Sequence, residues 1–287
     1  MAITRDRVSD EIYVFSSGLY AQVTAGVVIT SEGSVVIDAL PFPQETREMR
    51  RFVERVSSYP IRYIFATHYH ADHVNGLYLF PEAEAICHRR CRELLLRFGQ
   101  RGLDEAKRQT PELAEVVLRV PRITFDESVS VRLGGLTITA MHAPGHSPDV
   151  SMVLVREPKV LFASDTMMPV PYIAGGDLEA MIQSLEMIGE MSLECVVQGH
   201  GEVLLRGEIK DAVESNIAYL RHIQELARSY VEEGKPKQAL LRVDIESCGK
   251  SRLPLGGLVQ ALHRANLAYL YDRYRAELTR QAREAAA

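Results

Sequence analysis

The sequence predicts an α+β protein: a four-layer αββα sandwich of two mixed β-sheets with outer helices, followed by a C-terminal helical extension. Two observations lead there. Strand-rich and helical stretches alternate twice along residues 1–202, which asks for two sheets each covered by helices. After Gly201 the pattern changes to two long helical segments, and residues 203–287 read as an extension packed on the sandwich. A chain of 287 residues with 46% hydrophobic side chains is large enough for one core of this kind.

The elements follow in order. "EIYVFSS", "QVTAGVVIT" and "SVVIDAL" are short, β-branched runs, and Ser31-Glu32-Gly33 closes a hairpin between the last two. "PQETREMRRFVERVSS" has helical spacing, with Met49, Phe52, Val53 and Val56 on one face. "IRYIFAT" is a buried strand, and a helix is expected near Cys87–Phe98, followed by helical, charged material to about Leu118. Strands resume with "ITF", "SVSVRL" and "LTITAMH", the last two joined at Gly134-Gly135. "SMVLVR" and "KVLFAS" precede a helix at Leu178–Met191 with Leu178, Met181, Ile182, Leu185 and Ile188 inward, and "ECVVQ" is a further strand. Residues 208–233 and 257–281 carry the two long helices, and the Ala-rich end is expected to fray.

Composition excludes some functions. The net charge of −5 is spread along the chain with no basic block, so a nucleic-acid groove is not expected. The start, "MAITRDRVSDEIYVF", lacks an apolar segment of signal-peptide length and no later run would span a bilayer, so a cytoplasmic protein without membrane contacts is expected. Four cysteines (Cys87, Cys91, Cys195, Cys248) do not make a disulfide scaffold in a chain this long. Cys87 and Cys91 read as reduced thiols on one helix, because no second ligand pair follows at zinc-finger spacing.

One stretch stands apart. "YIFATHYHADHVNGL" ends an apolar run with His68, His70, Asp72 and His73, spending three of nine histidines within six residues. The expected chance count of H-x-H-x-D-H is on the order of 10⁻⁴ to 10⁻³ per chain. Polar groups crowded at a strand end need a partner that satisfies them. Imidazole and carboxylate are good ligands for a borderline divalent cation.

More ligands are needed than one loop supplies, and three other strand ends qualify. His146 lies in "HAPGHSPDV", Asp165 in "VLFASDT" and His200 in "CVVQGHG". Together the seven side chains suffice for two metals. His88, His142, His222 and His263 lack that context and read as surface or packing residues.

The ordered set H-x-H-x-D-H, P-G-H-S, S-D and G-H-G resembles the metallo-β-lactamase superfamily over about residues 10–205. The resemblance implies the αββα sandwich with its site at one edge of the sheets. It implies that His68, His70 and His146 hold one metal, that Asp72, His73 and His200 hold the other, and that Asp165 bridges them. Asp38, closing "SVVID", resembles a position that orients a ligating imidazole. The bridged set is similar to that of glyoxalase II and the lactonases. Antibiotic-hydrolysing members instead lack the bridging Asp, some placing a cysteine at the position of Asp165. The segment "GDLEAMIQSLEMI", with the strand, G-H-G and long helix after it, resembles the branch labelled cyclase-like or sulfur-oxidation-like.

The implied activity is metal-dependent hydrolysis, a metal-bridging hydroxide attacking a small ester, lactone, thioester or amide. Zinc is the first expectation for the two divalent ions, with iron and manganese compatible with the same ligands. Asp72 is expected to pass a proton onward. Tyr172, the first tyrosine after Asp165, is a candidate for contacting the oxyanion. The segments "TMMPVPYIAGG" and "SSGLYAQ" are expected to border an apolar pocket, and the C-terminal helices to shape the entrance or a homodimer face. The alternatives are a diiron redox protein reducing oxygen or nitric oxide, a reading that normally needs an electron-delivery domain, and a phosphodiesterase or β-lactamase side activity.

Overall fold

Both faces of the central strands are apolar, so each sheet has to be covered twice. In the computed structural model, which describes residues 3–285, the first half of the chain runs β1 (Thr4–Arg7), β2 (Ile12–Ser16), β3 (Thr24–Thr30), β4 (Gly33–Ile37), α1 (Pro43–Val56), β5 (Ile61–Ala66), α2 (Ala71–Val74), β6 (Glu84–His88), α3 (Arg89–Leu94), α4 (Gln100–Gln109) and β7 (Ile123–Phe125). The second half runs β8 (Ser128–Leu133), β9 (Leu136–His142), β10 (Ser151–Val155), β11 (Val160–Ser164), α5 (Leu178–Glu190), β12 (Cys195–Gln198) and β13 (Val203–Leu205). Three helices close the chain: α6 (Arg206–Glu232), α7 (Lys237–Leu240) and α8 (Val259–Ala285).

Strands β1 to β7 form one sheet in sequence order, antiparallel up to β4 and parallel from β4 to β7. The other sheet has the order β13-β12-β11-β10-β9-β8, with β11 and β12 parallel and the remaining pairs antiparallel. Both sheets are therefore mixed, as the sequence predicts.

The period-2 alternation of the strands sorts side chains into layers. Val35 and Ile37 of β4 face the opposing sheet, where they join Val160 and Phe162 of β11 in one apolar layer. Val36 turns outward to Met49, Phe52 and Val53 of α1, while Leu161 and Ala163 turn outward to Met181, Ile182 and Leu185 of α5. Val56, expected on the buried face of α1, is 45% exposed at the helix end. The expected inward face of α5 is buried at all five positions.

The C-terminal helices share the core of the second sheet. Tyr219, Leu220 and Ile223 of α6 and Leu267 and Leu270 of α8 belong to the same buried cluster as α5 and β11. Burying each large apolar side chain contributes about 1.5–3 kcal/mol, so these helices are part of the folded unit rather than tethered to it. Among the described residues no helix is long and apolar enough to cross a membrane. Ala286 and Ala287, in the end expected to fray, lie outside the described residues.

Three strands escape the sequence reading. β1 is exposed and charged, and pairs with β2 through its backbone and through Arg7, whose guanidinium lies 5.8 Å from the centroid of the Tyr13 ring. β13 pairs with β12, so the second sheet runs three residues beyond the expected boundary at 202. β6, "EAICH", stands where the sequence suggests the start of a helix near Cys87–Phe98. Its Glu and Ala favour a helix, but parallel pairing with β5 on one side and β7 on the other overrides that preference. Cys87 thus ends a strand and Cys91 lies in α3, both buried and free, rather than on one helix.

Parallel pairing positions the site. Because β4 runs with β5 and β11 with β12, the C-terminal ends of all four strands come to one edge, where open α/β sheets place their ligands. Asp38 and His68 follow the ends of β4 and β5, and Asp165 and His200 follow those of β11 and β12.

Candidate metal centre

At that edge the chain stores backbone strain. Asp38 and Ser164, each just at a strand end, have φ of 59° and 49°, the left-handed region that non-glycine residues rarely enter. Thr67, between them, repays part of the cost: its N–H donates to Asp38 Oδ1 at 2.7 Å, and its hydroxyl lies 2.7 Å from both Asp38 Oδ2 and Ser164 Oγ. This bridge joins one sheet to the other beneath the histidines.

The seven side chains singled out in the sequence converge above it. His68, His70, His146 and Asp165 offer donor atoms within 4.8 Å of one another, and Asp72, His73 and His200 form a second such group. Asp165 serves both. Its Oδ2 is 3.3 Å from His146 Nε2 and 3.9 Å from His68 Nε2, while its Oδ1 is 3.3 Å from His73 Nε2 and 3.6 Å from His200 Nε2. Asp72 Oδ2 is 3.4 Å from His200 Nε2 and 3.9 Å from His73 Nε2. A four-ligand shell at zinc distances sets donor atoms about 3.3 Å apart, close to these spacings.

The far side of each ring fixes its tautomer. His146 Nδ1 donates to the Tyr172 carbonyl at 2.8 Å and His200 Nδ1 donates to the Ala21 carbonyl at 3.0 Å. A carbonyl only accepts, so once either ring is neutral its Nε2 would carry a lone pair toward the cluster. His73 Nδ1 donates to Asp38 Oδ2 at 2.9 Å, and His68 Nδ1 is 3.2 Å from the Thr67 hydroxyl. Outer partners of this kind orient imidazoles for a metal.

The cluster fits divalent cations on a further ground. Of five buried side-chain N or O atoms left without a hydrogen-bond partner among the described residues, three are here: His68 Nε2, His73 Nε2 and Asp165 Oδ1. Such orphans each cost about 1–3 kcal/mol unless satisfied. All three point into one space with lone-pair donors, which is what a cation satisfies.

Residues 20–200 match the family model described as the metallo-beta-lactamase superfamily. The chain belongs to that superfamily. Among its relatives, a beta-lactamase-like protein 2 homolog of Caenorhabditis elegans is 24% identical over 72% of this chain and 63% of its own length. A linear primary-alkylsulfatase of a Pseudomonas species is 22% identical over 71% of this chain and 46% of its own. An atrochrysone carboxyl ACP thioesterase of Passalora fulva is 25% identical over 66% and 51%. The matches thus span less than two thirds of these curated relatives. A metallo-beta-lactamase structure from Pontibacter korlensis superposes with a TM-score of 0.63 at 17% identity, covering 76% of this chain and 99% of that one, and shares the fold.

Electrostatics in this superfamily site divide the two groups. Burial and the neighbouring His146 push His70 down to about 4, and burial with His73 beside it holds His68 well below the ordinary imidazole range. Burial acts the same way on His200, but the Asp165 and Asp72 carboxylates overcome it and raise that ring to about 10. Burial would raise Asp72, yet His73 and His200 hold it down at about 2. One triad is thus all imidazole, and the other couples imidazole to carboxylate.

Several residues of the site carry no motif. Asp149, fully buried, accepts from the Tyr69 N–H at 2.8 Å and the Ser147 hydroxyl at 2.6 Å, tying the H-x-H loop to the loop of His146. The S-x-D spacing of "HSPD" was the available signal. Glu45 accepts from the Ser17 hydroxyl at 2.7 Å and Gly18 N–H at 2.8 Å, securing the turn that offers Ala21 to His200. In that turn Tyr20 is raised by burial and by the charges of Asp72 and Asp165. The Tyr172 ring lies 5.6 Å from that of His146, tilted by 44°, and its hydrogen bond to the site is made by its carbonyl rather than its hydroxyl.

Proposed function

We propose that the protein is a hydrolase dependent on two divalent metal ions, acting on a small ester, lactone, thioester or amide. The observation that carries this reading is the division of Asp165, one oxygen toward each histidine group. On this reading His68, His70 and His146 hold one ion, Asp72, His73 and His200 hold the other, and Asp165 joins the two. Neutral imidazole with carboxylate suits zinc first, then iron or manganese. Bound there, such ions polarise a scissile oxygen and bring the pKa of water toward neutrality.

The chain's own groups do the rest. Asp38, Tyr172 and Ala21 keep the donor nitrogens of His73, His146 and His200 turned inward. Asp72, half-buried with its side chain 20% exposed, is the carboxylate that reaches solvent, and it takes the proton of the attacking water and hands it outward. On this reading Tyr172, whose ring lies 5.6 Å from that of His146, is the hydroxyl donor to the oxyanion. The chain's similarity to an alkylsulfatase and to an ACP thioesterase supports an ester or thioester centre.

The test is metal analysis with a hydrolysis panel of lactones, thioesters, phosphotriesters and β-lactams on metal-loaded protein. About two ions per chain and turnover of an ester-class substrate are expected. Asp165→Ala is expected to lose one ion and most of the turnover. Equal metal content and rate in that variant would overturn the reading.

A further inference from the structure

Beside His70 lies a cavity of about 180 Å³ whose walls differ from the charged site next to it. Val74, Leu95, Phe98, Leu103 and Leu118 line it, with Asn75 as a polar exception, and His70 is the one member of the cluster that reaches its wall. We infer that this cavity holds the hydrocarbon tail of the substrate, making the protein a hydrolase of medium-chain acyl esters or thioesters; this rests on the hydrolase reading above.

The geometry comes from a local irregularity. Between α3 and α4 the chain makes a π-helical turn, Leu95–Gly99, which widens the helix by a residue. Leu95 is thereby buried at 1% exposure, while Phe98 stays 45% exposed at the rim and Leu96 beside it is 62% exposed. Apolar side chains left in water around an apolar cavity favour an apolar ligand. No charged side chain is among the lining residues.

Size narrows the class. The volume is well below the ~300–1,000 Å³ of a pocket that encloses a whole drug-sized ligand, so it suits one part of a substrate. At about 30 Å³ for a group the size of a water or methylene, it holds roughly six carbons. His70 both lines the cavity and belongs to the first histidine group, so a tail seated there lies against a ring of that group, and on this inference its carbonyl end is directed to the cluster.

Gly102 supplies the test. It lines the cavity from within α4, and a Cβ built on it meets no atom within 4 Å. Leucine at this position therefore meets no backbone clash, adds bulk to the wall that Gly102 forms, and favours the helix. The substrates are N-acetylcysteamine thioesters from acetyl to octanoyl, with metal-loaded protein. For the wild type, kcat/KM is expected to rise about fourfold per methylene until roughly six carbons and then level off. Gly102→Leu is expected to flatten that rise while leaving the acetyl rate within twofold. A flat wild-type profile, or equal loss on acetyl and octanoyl in the variant, would overturn the inference.

Binding of 1-hexanol, followed by NMR, separates this inference from its premise. If no thioester or ester is cleaved, the hydrolase reading fails. Hexanol binding that is lost in Gly102→Leu then still supports an apolar-ligand cavity, and the absence of binding to the wild type overturns it.

Discussion

Asn266 holds the backbone of Ile173: its Oδ1 accepts from the Ile173 N–H at 2.9 Å, and its Nδ2 donates to the Pro171 carbonyl at 2.7 Å. Tyr172, caught between, offers its carbonyl to His146 Nδ1. A residue of α8 thereby sets the ring of a site histidine from 120 positions away, counting from 146 to 266. Asn266→Ala is expected to weaken cation affinity by about 10–100-fold, as removal of outer partners does. Competition against a metal buffer measures this, with circular dichroism confirming the fold. Native affinity in a folded variant would show that the clamp is not needed.

Asp38 answers three donors while sitting at a φ of 59°. Asparagine tolerates that conformation and alanine does so poorly. Asp38→Ala strands the Thr67 N–H, the Thr67 hydroxyl and His73 Nδ1, and should cost about 3 kcal/mol or more in urea unfolding. Asp38→Asn should fold with a smaller loss yet bind cations more weakly. Equal stability of the two variants would refute the role of strain.

Gly199 has no room for a side chain. A Cβ there would lie 2.1 Å from Asp165 Oδ1 and 2.6 Å from the Ser164 carbonyl carbon. Gly199→Ala must displace the shared carboxylate, and elemental analysis should find about one ion fewer per chain than in the wild type. Unaltered metal content would mean that the loop yields at no cost to the site.

Lys250 is buried and donates to Asn216 Oδ1 at 2.6 Å and Ser215 Oγ at 2.8 Å, with no carboxylate partner among the described residues. Burial lowers its pKa from 10.5 to about 8. The folded state then binds the proton less tightly than the unfolded state. The charged lysine costs stability below pH 8, and stability grows as pH rises from about 8 to about 10.5, on the order of 3 kcal/mol across that window. Urea unfolding of the wild type and Lys250→Met at pH 7.5 and 10 should show the difference between them changing in that direction. A pH-independent difference would sink the assignment. Asn216 also donates to the Met168 carbonyl at 3.0 Å, so the same network steadies the loop of Tyr172.

Local pattern alone determined much of this protein. Alternating β-branched runs announced ten strands, and the 3.6-residue spacing of Leu178, Met181, Ile182, Leu185 and Ile188 announced the buried face of α5. The seven His and Asp side chains that meet at the sheet edge were legible because they fall within a few residues after the ends of apolar strands, a signal confined to short stretches.

Contacts between distant segments decided the rest. β6 became a strand because two neighbours pair with it, and Asp149, Glu45 and Asn266 matter through single hydrogen bonds to loops far off in the chain. The apolar cavity beside His70 lies between a π-helical turn and α2, and the split of Asp165 between two histidine groups arises from two parallel strand pairs ending at one edge. The physical reason is one of range. Propensity and periodicity act over a few residues and leave a mark in the sequence, whereas pairing, burial and desolvation act between surfaces that only the folded chain brings together.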